Sequence, residues 1–96
     1  MGKFQVYAIK TTADGAHVTG RLIAGTFTRG KSVHSAHRAD EMGVKHGEPV
    51  ELDLLIDGIV IYSNEIDEIQ EGLTALIRLR GHWPAQISQG WILEGG

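Results

Sequence analysis

The run Val18-Thr19-Gly20-Arg21-Leu22-Ile23-Ala24-Gly25-Thr26-Phe27 restricts what this chain can fold into more than any other stretch. It opens just after an Asp14-Gly15 turn signal and carries two glycines inside an otherwise strand-like sequence. Glycine weakens a strand, so two of them mark bends or bulges, which a small sheet needs where it turns a corner. A second run, Ile77-Arg78-Leu79-Arg80-Gly81, reads as a central strand closing onto the first. Together the two runs predict a small closed antiparallel β-barrel. Length agrees with this: 96 residues make one domain, residues 1–96, with room for one core.

The remaining segments read as strands punctuated by turns. Phe4 to Thr11 places Phe4, Val6 and Ala8 on one side and Gln5 and Tyr7 on the other, the period of a half-buried strand. Asp14-Gly15 supplies the positive φ of a tight hairpin turn, and His17 to Phe27 forms the second strand. Arg29-Gly30-Lys31 is a turn before a short strand from Ser32 to His37. Arg38 to Glu48 is polar and glycine-punctuated, a loop with room for one turn of helix. Pro49 begins the clearest strand, with Val50, Leu52, Leu54 and Ile56 facing one way and Leu55 breaking the other face. Gly58 interrupts it before Ile59 to Tyr62. Asn64 to Gly72 is an acidic link, again with room for a turn of helix. Leu73, Ala75, Ile77 and Leu79 then alternate with Thr74, Arg78 and Arg80, and Leu76 stands out on the polar face. Trp83-Pro84 marks a loop, and Ser88 to Leu93 a last strand. Short strands at this spacing make the chain all-β, a barrel or a sandwich.

Charge and composition narrow the chemistry. Hydrophobic residues at 42% and charged residues at 22% are ordinary for a globular domain. Nine Lys and Arg against twelve Asp and Glu leave a net charge of −3, which disfavours non-specific grip on a polyphosphate. Cysteine is absent, which excludes disulfides, thiolate nucleophiles and Cys-ligated zinc and fits a cytoplasmic protein. Met1-Gly2-Lys3 is followed by Phe4-Gln5-Val6-Tyr7 rather than by an apolar run, so neither a signal peptide nor a membrane span is expected. Val6 stands where a myristoylation signal needs Ser or Thr.

Thr19-Gly20-Arg21, with Gly25 and Gly30 beyond it, resembles the second domain of the translational GTPases, above all elongation factor Tu, where the strand reads T-G-R-V-E-R-G. Asp57-Gly58-Ile59 resembles that family's T-G-V step. Asp67-Glu68, Gly72 and Leu79-Arg80-Gly81 fall at its D-E, A-G and L-R-G positions, and Ile87, Gly90 and Leu93 on its closing I-x-x-G-x-x-L. The likeness covers nearly the whole chain, with Arg38 to Glu48 rebuilt. It implies a free-standing translation-protein barrel, antiparallel and of six to seven strands, without the GTPase, that works as a non-enzymatic binding module. In that family the domain helps hold the aminoacylated end of transfer RNA or leans on ribosomal RNA. The expected partner is accordingly RNA or a protein of the translation apparatus, and the expected binding residues are Arg21, Arg78, Arg80 and Trp83. The family's next acidic and basic positions are Ile23 and Ala24 here. Loss of those polar groups supports the alternative, a protein–protein or regulatory barrel that has lost RNA binding. Arg21 and Arg80 are also candidates for plain ion pairs with nearby acids.

Other constellations are weighed against plainer readings. Gly25-Thr26-Phe27-Thr28-Arg29-Gly30-Lys31-Ser32 satisfies the spacing of a phosphate loop literally, but such a loop needs a helix after it. Strand period on both sides makes it a β-turn, and no nucleotide is expected. His34, His37 and His46 are the densest histidines; on a strand, positions three apart face opposite ways, so exposed or turn histidines are expected and no metal. Glu65, Asp67, Glu68 and Glu71 read as a solvated face. No G-x-S-x-G elbow supports nucleophilic catalysis, and no cofactor is implied. Trp83, Trp91, Tyr7 and Tyr62 are possible stacking platforms, with Trp91 packing inward and Trp83 the better exposed contact. Gly95-Gly96 resembles the tail of a ubiquitin-like carrier, but those folds need a helix of about three turns, which this sequence lacks.

Overall fold

The structure, a computed structural model, describes residues 1–39 and 45–95, with backbone alone at 45 and 46. Eight strands follow one another: β1 (Gly2–Thr12), β2 (Gly15–Thr28), β3 (Ser32–Ala39), β4 (Lys45–Ile61), β5 (Asn64–Ile66), β6 (Glu68–Gln70), β7 (Thr74–Arg80) and β8 (Ile92–Gly95). Six of them pair in a closed ring in the order β1-β8-β3-β4-β7-β2 and back to β1. Every pairing is antiparallel. Two short strands sit outside the ring, β5 on β4 and β6 on the last residues of β2. The all-β, antiparallel expectation holds.

Alternation explains which side of each strand is buried. Val18 and Leu22 on β2, Leu54 and Ile56 on β4, and Ala75, Ile77 and Leu79 on β7 all point into one apolar cluster. Phe4 and Phe27 stack within it, ring centroids 5.7 Å apart. Ile69 from β6 and Ile87 from the loop before β8 join the same cluster.

The glycines of β2 act through contact and bulging. Gly20 lies so close to β1 that a β-carbon there would collide with the Gln5 carbonyl oxygen. Gly25, with φ of +68°, follows a bulge: Lys3 pairs with Ala24 and Phe4 with Leu22, which leaves Ile23 unpaired and pointing out.

Several local expectations change. The first hairpin turns at Ala13-Asp14, with Thr12 opposite Gly15, so Gly15 is not the turn residue. It opens β2 against the Leu79 backbone, where any larger residue would clash. A register shift between Val6 and Ala8 turns Ala8 outward and brings Ile9 onto the core. Arg38–Ala39 and 45–48 are strand rather than loop, because β3 and β4 continue to pair there. The central part of that segment, and with it the turn of helix, lies outside the described residues. Gly58 does not break its strand: β4 runs through it with a bulge at Asp57. The acidic link holds β5 and β6 in place of a helical turn, since each finds a ready strand to pair with. The last strand begins at Ile92 instead of Ser88, because Ile87 and Trp91 donate backbone hydrogen bonds to Pro84 and Ser88 in successive turns.

Candidate interaction face

The outer side of β1, β2, β7 and β4 can be read as rows running across the strands, because register fixes which residues stand side by side. Lys10, His17 and Arg78 form one outward row. The next outward row is Ala8, Thr19, Leu76 and Val60. Beyond it lie Gln5, Arg21 and Thr74. Successive outward rows are two residues apart along β2 and β7, roughly 7 Å. An uncharged, largely apolar row is thus bordered on both sides by rows that carry cations.

The four expected binding residues are brought together only in part. Arg21, Arg78 and Arg80 share this outer face, but Arg21 stands opposite Thr74, four residues from Arg78 along β7, roughly 13 Å. Arg78 donates a hydrogen bond to Glu65, and Arg80 donates one to Asp57 at 3.0 Å. The Arg78 guanidinium, through its hydrogen bond and then its charge, holds the Glu65 carboxyl below the usual carboxylate range. Arg80 therefore meets the ion-pair expectation. Arg21 does not: it is exposed, and none of the described residues forms an ion pair with it. Trp83 departs from its expected exposure. It is half-buried and packs against the core, as Trp91 does, because the loop after β7 folds back on the sheet.

A depression of about 510 Å³ on this face was not expected from the sequence. Val60, Tyr62, Leu73 and Leu76 line it, with Thr19 and Thr74. A second, about 340 Å³, shares Thr19 and Leu76 with it and is lined also by Ala8, Lys10 and His17. A third, about 210 Å³, meets it at Gly72 and holds Arg21, Ile23 and Glu71. Tyr62 stands at one end, 94% exposed. It and Ser63 form the two-residue loop between β4 and β5, with φ of 50° and 66°. Positive φ at both positions is the signature of a type I′ hairpin, normally filled by Asn-Gly or Asp-Gly. The Asn64 side-chain amide donates to the Tyr62 carbonyl at 3.3 Å and braces the turn. The sequence offered one signal for this face, Leu76 among the polar residues of β7.

The alternative sites resolve differently. Gly25 to Ser32 is strand end, turn and strand start, as expected of a β-turn rather than a phosphate loop. His34 is exposed and His37 buried, and a register shift between Val33 and Ser35 breaks the strict alternation between them. Burial of His37 corrects the expectation of exposed histidines: it pairs with Ile92 on β8, with its Nδ1 3.9 Å from the Glu94 carboxylate. The side chain of His46 lies outside the described residues. Glu65 and Asp67 are solvent-facing, as expected, and each meets an arginine, Arg78 and Arg29. No family model matches the chain, and no curated protein matches it.

Proposed function

We propose that this chain is a barrel of the elongation-factor-Tu second-domain type, a cytoplasmic, non-enzymatic binding module whose contact face is the outer side of β1, β2, β7 and β4. The closed ring of six antiparallel strands supports the barrel type. The observation that carries the contact face is the pair of depressions that share Thr19 and Leu76, one reaching Tyr62 and the other Lys10. A protein partner suits that face better than RNA. Two of the three arginines are already held by carboxylates, and Trp83 lies against the core rather than offering a ring for base stacking. Of the four residues expected to contact RNA, Arg21 alone is exposed and without an ion pair to a described residue.

An NMR titration of the labelled protein with transfer RNA and a short single-stranded RNA decides between them. At low salt, the protein reading predicts no cluster of shifts at Arg21, Arg78, Arg80 and Trp83. A cluster there that fades as salt is raised would overturn it in favour of RNA, since phosphate contacts are lost with counterion competition.

A further inference from the structure

The occupant of this face can be specified from its charge and width. We infer that the trough along Ala8, Thr19, Leu76 and Val60 docks an acidic amphipathic segment of a partner protein, apolar side chains down and carboxylates on both flanks. This rests on the binding-module reading above.

Three observations carry it. First, the charge is arranged for such a segment. Lys10 and Arg21 stand on opposite sides of the uncharged row, and neither forms an ion pair with a described residue. Arg78, beside His17, is occupied by Glu65, and Glu71 lines the pocket next to Arg21 without pairing with it. Two available cations on the two flanks suit carboxylates on both sides of an apolar stripe. Secondly, the dimensions agree. The flanking rows are roughly 13 Å apart, enough to seat a helix about 10 Å across. Thirdly, the floor is aliphatic, and its far end is closed by Tyr62 on a braced left-handed turn. An aromatic ring 94% exposed gains burial when a partner covers it. Aliphatic floors recognise apolar side chains, as in other helix-in-groove contacts.

The test uses a fluorescent twelve-residue helical peptide with a leucine stripe flanked by glutamates. Controls are a scrambled peptide of identical composition and one with lysine in place of every glutamate. On the labelled protein, the glutamate peptide should shift the amides of Ala8, Thr19, Val60 and Leu76. Arg21→Glu and Lys10→Glu should each weaken binding on the order of tenfold, as charge reversal at a rim does. Leu76→Thr, which keeps a good strand former, should weaken it similarly. Lys31→Glu, at the turn before β3, should not change it. Each variant is first shown to keep a dispersed amide spectrum. Equal binding of the scrambled or lysine peptide, shifts away from this face, or no shift at millimolar peptide would overturn the inference. If single-stranded RNA shifts the face while the peptide does not, the peptide inference fails and the binding module stands. If neither does, both fail.

Discussion

Replacing Phe27 by Ala should remove about 3–5 kcal/mol of stability, the range for deleting a buried aromatic ring. Phe27 is fully buried at the end of β2 and stacks on Phe4 with an interplanar angle of 19°. It also stands opposite Ile69, through which the short β6 is joined to the ring. Alanine there would leave a cavity bounded by two strands that cannot simply collapse, since β6 pairs over only three residues. The urea midpoint should fall steeply, and the β6 amides should lose hydrogen-exchange protection before those of β2. A domain of this size has a total stability of only about 5–15 kcal/mol, so part of the population should be unfolded at 37 °C. A loss below 1 kcal/mol would mean that the two phenylalanines do not share a packed core.

The second large effect comes from a residue with no side chain. Gly20→Ala should cost about 3 kcal/mol, the upper end for forcing extra volume into a closed space. The added β-carbon would meet the Gln5 carbonyl oxygen and the Phe4 ring, so the backbones of β1 and β2 must part. That separation falls on one of the seams that close the ring. Gly30→Ala is the comparison. Gly30 has φ of +91° but open space around it, so its replacement brings only the local strain of a left-handed alanine, about 1 kcal/mol. Urea unfolding of both variants measures the difference. Equal losses would mean that close strand contact contributes nothing at Gly20.

What the sequence made legible follows from how each signal arises. Leu54 and Ile56, or Ala75, Ile77 and Leu79, announce their strands because alternation is a local property and burial follows it directly. Gly20 and Gly25 announced bends or bulges, and one lies beside Gly25, whereas Gly20 answers to close contact with β1. The shift at Tyr7 stayed hidden because Ala8 and Ile9 are both apolar, so either could be taken as the inward residue. β5 and β6 stayed hidden because three residues are too few to display a period. Tyr62-Ser63 hid the second hairpin, since neither residue advertises positive φ. The contact face depends on register across four strands, which no single segment encodes. Leu76 and Arg21 were visible as residues, but their places on either side of one boundary were not. Trp83 was judged from its neighbour Pro84, whereas its burial depends on how the loop returns to the core.

Register is therefore the quantity on which the functional account turns. A one-residue slip would send every side chain of a strand to the other face and exchange Leu76 for Ile77 in the outer row. Nuclear Overhauser contacts across the sheet measure it directly. The account predicts a continuous chain of contacts from Ala8 to Thr19, Thr19 to Leu76 and Leu76 to Val60, with Arg21 facing Thr74. Contacts that instead pair Thr19 with Ala75 or Ile77, or Arg21 with Leu76, would contradict it and dissolve the proposed trough.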